Sequence, residues 1–317
     1  MKLHKQIGLI ALLIGAFAGF DLAVYNAITK RYIDNTSEAM QAKSIELDKY
    51  LPFASDTEIV RIDSTLTLSG DLPVVDGAAA LYPVFSAFVD ATYPENSVEF
   101  DGENFTADSA LQYTNTRGAY KAVVDGDADI VFCAKPSEEQ LAYAEQNGVE
   151  LELVPIGCEA FVFIVNEDNP VDDLTIDQVK GLYSGEFTSW SQVGGDNYFV
   201  DALQRNEGSG SQTAMLSFMG GQEMKRNPLG FMGRAIGFSF RYYVSGIVEN
   251  GEVKMLSLNG VYPSKENISN GTYPIVSNFY AVYRKDNDNE NVDILLDWIL
   301  SPQGQQIVEE SGYVPLG

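Results

Sequence analysis

Between Arg205 and Thr213 the chain reads Arg-Asn-Glu-Gly-Ser-Gly-Ser-Gln-Thr, a fixed cation followed by a small-residue turn and a run of hydroxyls. Residue types in that order suit an oxyanion. The residues that follow, Ala214, Met215, Leu216, Phe218 and Met219, have an apolar helical pattern, with Ser211 or Thr213 available as N-cap. A helix start leaves backbone N–H groups unpaired and carries a partial positive charge, and glycine lets an anion approach those groups closely. Arg205 adds a donor able to hold two oxygens at once. The competing reading is a flexible surface loop, which Gly-Ser-Gly-Ser in isolation equally describes. A nucleotide P-loop is excluded, because no Gly-Lys-Ser/Thr stands at the required spacing.

Two other turns share the design of a small or hydroxyl residue at a helix start: Ala78-Ala79-Ala80 and Thr116-Arg117-Gly118. In an α/β sheet such turns collect at the carboxyl edges of the strands, where ligands bind. Each could also merely cap its own helix. That reading explains Thr116 well and Arg205 least, since a cap needs no arginine upstream.

The elements that must position these turns alternate strand and helix from Leu72 onward. Leu72-Pro-Val-Val75 reads as a strand, Leu81 to Val89 as a helix with Pro83 in its first turn, and Thr116-Arg117-Gly118 as the start of a helix stopped by Gly126. Asp129 to Cys133 is a buried strand, followed by a helix from Ser137. Val149 to Ile156 and Glu159 to Asn166 read as two strands separated by Gly157-Cys158, the first crossover between two lobes. Thr175-Ile-Asp-Gln178 is a capping box, Ile275 to Tyr283 a returning strand, and two helices close the chain around Val292 to Leu300 and Pro302 to Glu310.

At 317 residues and 45% apolar composition the chain supports two lobes with packed cores. A net charge of −25 argues against nucleic acid and anionic membrane surfaces as partners, so any anion site must be local and short-ranged. The one histidine, His4, lies in the N-terminal leader, which leaves no histidine for catalysis or metal binding in the body of the protein. Cys133 and Cys158 cannot close a zinc site alone; they are either a disulfide or two buried thiols. No cofactor, metal site or catalytic residue is expected. Lys2, His4 and Lys5 precede an uninterrupted apolar run from Ile7 to Phe20, the pattern of an export signal that is cleaved or kept as a membrane anchor.

From about Leu72 to its end the chain resembles the PstS-like phosphate-binding proteins of the phosphate ABC importers, in the form common in Gram-positive bacteria. The residues that carry the likeness are Asp76-Gly-Ala-Ala-Ala-Leu-Tyr-Pro83, Ala128-Asp-Ile-Val-Phe132, Pro136-Ser-Glu-Glu-Gln140, Pro155-Ile-Gly-Cys-Glu-Ala-Phe-Val-Phe163, Arg205 to Thr213, and Asp297-Trp-Ile-Leu-Ser-Pro-Gln-Gly304. The resemblance implies an α/β, two-lobed type II solute-binding fold, each lobe a central sheet flanked by helices, with the ligand cleft between them. It implies an exported, monomeric, non-enzymatic protein that captures inorganic phosphate and presents it to a membrane permease driven by a cytoplasmic ATPase. The implied organisation is residues 1–26 as signal or anchor, 27–70 as a stalk or peripheral segment, 71–160 plus 275–317 as lobe I, and 161–274 as lobe II.

The family's arginine falls on Arg205, and its Ser-Gly-Thr on Ser209, Gly210 and Ser211. Its first-lobe serine falls on Thr116, and the first turn contributes the backbone of Ala79 and Ala80. Two positions depart: a threonine is replaced by Ala79, and the aspartate that accepts the proton of hydrogen phosphate falls at Ala134. A fixed carboxylate acceptor favours phosphate and repels sulfate. Glu159 and Asp76 are the candidates to replace it; Glu159 reads equally as a hinge salt bridge with Arg117 or Arg241, and Asp76 as a cap for the Gly77 turn. Two other readings stay open: a tethered binder or sensor of sulfate-type or molybdate-type oxyanions, and a serine-dependent phosphatase or hydrolase, which would need a base or metal nearby.

Overall fold

The computed structural model describes residues 45–247 and 252–316. The expected export segment, residues 1–26, lies outside them. Val75–Gly77 forms β1, starting later than the apolar run suggests. Pro73 has no N–H to give a ladder, and the N–H of Val74 donates to the Asp129 side chain at 2.8 Å instead. After a 3-10 turn at Ala79–Leu81, α1 runs over Tyr82–Thr92. Helix α2, Asn115–Asp125, ends on Gly126 in the left-handed conformation. β2, Ile130–Ala134, leads into α3, Glu138–Gln146, whose start is held by a reciprocal capping box of Ser137 and Gln140.

β3, Leu151–Asn166, is a single strand where the sequence suggests two. The Gly157 interruption is a register shift between Pro155 and Gly157, not a break. Glycine is required there because a Cβ would lie 2.4 Å from the Phe279 ring. The second half of the chain supplies β4 (Asp173–Leu174), α4 (Ile176–Ser184, with the Thr175–Gln178 capping box), β5 (Val200–Ala202), α5 (Gly210–Met219) and β6 (Arg234–Phe240). There follow β7 (Val253–Met255), β8 (Ser257–Leu258), α6 (Lys265–Ser269), β9 (Val276–Arg284), α7 (Glu290–Leu300) and α8 (Pro302–Glu310).

The main sheet has the order β1-β2-β9-β3-β6-β5, with β7 also paired to β3. β3 pairs with β9 over Leu151 to Ala160 and with β6 over Phe161 to Val165, so one strand belongs to two layers in succession. This makes the fold two-lobed. Lobe I packs α1, α7 and α8 on one face, where Phe85 stacks on Phe132 at 5.7 Å, and α2 on the other through Tyr120 and Val123. Lobe II is built around Phe161, Phe163, Tyr183, Phe238 and Trp190, whose indole N–H donates to the Arg234 carbonyl at 2.9 Å.

Residues 45–70 are bound to this frame rather than free of it: Ile45, Tyr50, Ile59 and Leu68 are buried in the lobe I core. Their irregular spacing gives no helical or strand period, which is why the sequence marks them only as peripheral. Cys133 and Cys158 are free thiols. They sit on β2 and β3 with β9 between, opposite Tyr280 and Asn278 respectively, so no disulfide joins them. No helix among the described residues is long and apolar enough to cross a membrane.

Candidate functional site

Three helix starts and the ends of several strands meet at a cavity of about 430 Å³ between the lobes. Its lining includes Ala79, Ala80, Thr116, Arg205, Ser209, Gly210, Ser211 and Glu159, which the sequence singles out, but not Asp76.

The Arg205 turn is organised from within. Ser209 is the N-cap of α5, its Oγ accepting from the N–H of Gln212 at 3.2 Å, so the helix begins before Ser211 and Thr213, the caps the pattern suggests. Thr213 instead donates its hydroxyl to the Ser209 carbonyl at 3.1 Å. The Gln212 side chain turns back to accept from the backbone N–H of Arg205 at 2.8 Å, which ties the arginine to the helix start. Gly208 takes φ +74°, the left-handed turn that glycine tolerates best. The N–H groups of Gly210 and Ser211 are left in the first turn, where no carbonyl of the helix reaches them.

Lobe I approaches from the other side. A Cβ built on Gly210 would lie 3.5 Å from the Ala134 Cβ and 3.6 Å from the Thr116 hydroxyl, so the two lobes meet at the Ser209–Gly210 turn. Helix α2 begins at Asn115, a non-glycine residue at φ +64°, with its Oδ1 accepting from the Tyr113 hydroxyl at 2.7 Å. This start precedes the expected one and leaves the Thr116 side chain in the first turn facing the cavity. In the Ala78 turn, the first internal bond runs from Leu81 N–H to the Ala78 carbonyl at 2.9 Å, so the N–H groups of Ala79 and Ala80 precede it. Gln140 of α3 crosses the cleft, donating to the Gly208 carbonyl at 3.3 Å.

The charges are asymmetric. The Arg205 side chain makes no hydrogen bond or ion pair with any described residue, and burial pulls its guanidinium below the usual arginine range. Burial likewise raises the Tyr243 phenol, with Arg205 opposing the rise. Both candidate carboxylates, in contrast, are occupied. Asp76 sits behind the turn, accepting from Gly77 N–H at 2.7 Å, Thr114 N–H at 2.8 Å and the Thr114 hydroxyl; this corrects its candidacy as a ligand acceptor, because its oxygens serve the turn. Glu159 reaches the cavity wall, yet its Oε1 accepts from Ala160 N–H at 2.9 Å and from Arg241 Nε at 3.3 Å, and its Oε2 from Tyr242 N–H at 3.0 Å. Its geometry is the hinge ion pair. Arg117 is not its partner; it lies in solvent beside Glu139 at 3.6 Å. Burial raises both acids, and their donors oppose that rise.

Sequence reasoning misses Ser239, Phe240, Tyr243 and Asn278, which also line the cavity. Ser239 is only 4% exposed and its hydroxyl has no partner among the described residues. The one available signal was a lone hydroxyl within the apolar strand Ile236-Gly-Phe-Ser-Phe240. The described residues contain no group of three or more His, Cys, Asp or Glu able to hold a metal ion.

Two α/β lobes that share the strand β3, with a donor-rich cavity between helix starts, define a two-lobed solute-binding protein. A family model described as "PBP superfamily domain" matches residues 73–303, and the chain belongs to that family. Among curated relatives it is 24% identical over 279 residues to Protein SphX of Synechococcus elongatus, covering 77% of each chain. It is 24% identical over 257 residues to the phosphate-binding protein PstS of Bacillus subtilis, covering 78% of this chain and 81% of that one. Among solved structures, a putative phosphate ABC transporter substrate-binding protein from Clostridium perfringens, with bound phosphate, is 23% identical with a TM-score of 0.58 and covers 77% of this chain and 98% of its own. An ABC-type phosphate transport receptor from Vibrio cholerae is 19% identical with a TM-score of 0.55, covering 76% and 99%. These likenesses concern the fold.

Proposed function

We propose that the chain is an extracytoplasmic binding protein that captures inorganic phosphate in its interlobe cleft and delivers it to an ABC importer. The observation that carries this reading is the unpartnered, half-buried Arg205 among helix-start N–H groups and the hydroxyls of Thr116, Ser209 and Ser211. An unpaired buried cation is costly unless a ligand supplies the opposite charge. The names of the curated relatives and the phosphate bound in one solved neighbour agree with it. The reading takes residues 71–160 plus 275–317 as lobe I and 161–274 as lobe II, the chain as a monomer, and a permease with a cytoplasmic ATPase as its partners. The reading also takes the protein as exported, on the leader pattern of its sequence, with the N-terminal apolar segment either cleaved or kept as a tether.

A hydrolase reading lacks support in the geometry. The Ser209 oxygen already accepts from the Gln212 N–H, no histidine lies among the described residues, and Asp76 and Glu159 are held by other donors. The test is titration calorimetry of the purified protein with phosphate and sulfate, repeated on Arg205→Ala. Submicromolar phosphate binding that Arg205→Ala weakens at least tenfold supports the proposal, since a hydrogen bond to a charged group is worth about 1.5–3 kcal/mol. An absence of binding, or an affinity untouched by the substitution, overturns it. Tighter binding of sulfate would reassign the site to another oxyanion.

A further inference from the structure

The anion end accounts for only part of the cavity. A tetrahedral oxyanion displaces on the order of three waters, roughly 100 Å³ at the volume water takes in the liquid, against about 430 Å³ present. Beside the anion end stand Phe240, whose ring lies 3.8 Å from a Cβ built on Gly210, and Tyr243, near enough to Arg205 for the two to interact electrostatically; the wall also carries Leu81 and Phe279, with Ser277 and Asn278 at the strand end. A cavity of this size, mostly apolar with a few convergent polar groups, suits a small organic molecule better than a bare ion.

The chemistry of the anion end points the same way. Inorganic phosphate near neutral pH carries an acidic proton that seeks an acceptor. A phosphomonoester has an ester oxygen in that place, and above its second ionisation at about pH 6 it presents three oxygens that only accept. The groups offered here are donors or ambivalent hydroxyls: Arg205, the helix-start N–H groups, and the side chains of Thr116 and Ser239, each about nine-tenths buried with no partner among the described residues. No buried carboxylate is free to take a proton: of the two that line the cavity, Glu159 is held by Arg241 and Tyr242, and Glu207 is exposed.

We infer that the cleft takes small phosphomonoesters as well as inorganic phosphate, the phosphate group lying on Arg205 and the helix starts and the organic substituent against Tyr243 and Phe240. The inference rests on the phosphate reading of the anion end. Hydroxyls can accept as well as donate, so inorganic phosphate is still admitted.

The experiment is calorimetric titration of the wild-type protein with inorganic phosphate, methyl phosphate and glycerol phosphate, with thermal-shift measurements on the same ligands. Glycerol phosphate is expected to bind at least as tightly as inorganic phosphate. Tight inorganic phosphate with glycerol phosphate weaker by more than about tenfold would overturn the inference and leave the phosphate reading standing; failure of all three ligands would overturn both. Ser277→Leu, which fills the part of the cavity at the start of β9, should weaken glycerol phosphate by about tenfold and inorganic phosphate by less than about threefold. Equal losses for the two ligands would place the substituent elsewhere and count against the assignment.

Discussion

Asp76 and Arg205 are both withdrawn from solvent, and they differ in what meets them. Asp76, 1% exposed, accepts from three donors on Gly77 and Thr114; the Arg205 guanidinium, which only donates, meets no acceptor among the described residues. The first charge is therefore structural, and the second is the one that the proposed phosphate reading assigns to the ligand. Burial is the larger influence on Asp76 and raises it from its ordinary 3.8. A carboxyl raised in the folded state favours folding fully below the unfolded value and loses that contribution as pH rises through the folded one. Asp76→Asn, which stays neutral, should thus gain stability relative to wild type as pH rises from 3.8 upward, measured as the difference in denaturant midpoint at several pH values. A mutant midpoint that falls relative to wild type as pH rises would reverse the sign assigned here. The sequence leaves Asp76 between two roles because the residue that decides it, Thr114, lies 38 positions away. Arg205 was legible because a helix cap has no use for an arginine upstream. Ser239 was not, since only the pairing of β6 with β3 turns that side chain towards the cleft.

Most helices and strands could be read from local chemistry. The Ser137–Gln140 and Thr175–Gln178 capping boxes and the Gly126 stop need only neighbouring residues, and each is present. β3 needed more. Gly157-Cys158 looks like a break in sequence, and it survives as continuous strand because β9 runs beside it on both sides of the register shift. Phe279 packs where a side chain at 157 would go, and Val308 lies 3.1 Å from the same point. Gly157→Ala should therefore act through overpacking and cost about 1–3 kcal/mol, read as a lowered denaturant midpoint with an unchanged slope. Because the glycine adjoins the hinge pair at Glu159, the same variant should also shift ligand affinity. A midpoint within experimental error of wild type would mean that the Phe279 ring moves aside freely.

At the scale of the molecule, β3 is continuous between the lobes and the Glu159–Arg241 pair stands at the crossover, where Arg241 also donates to the Gly312 carbonyl. Flexing there carries the Ser209 turn towards or away from Thr116 and Ala134. The described conformation is a closed one, since Gln140 of lobe I donates across the cleft to the Gly208 carbonyl. Gln140 is 8% exposed, so this bond is sheltered from water. It touches the turn that presents Arg205 without itself lining the cavity. Gln140→Ala should then lower the population of the closed form while leaving every anion contact in place. The substitution removes two side-chain hydrogen bonds: the one that Gln140 accepts from the Ser137 N–H holds the start of α3, and loss of the one across the cleft, about 0.5–1.5 kcal/mol, weakens apparent affinity by roughly two- to tenfold, because only the closed fraction binds. The loss should be the same for inorganic phosphate and for any competing oxyanion, and small-angle scattering of the ligand-free variant should give a larger radius of gyration than wild type. A change in anion preference would instead make Gln140 part of the recognition surface, and an unchanged affinity would remove it from closure.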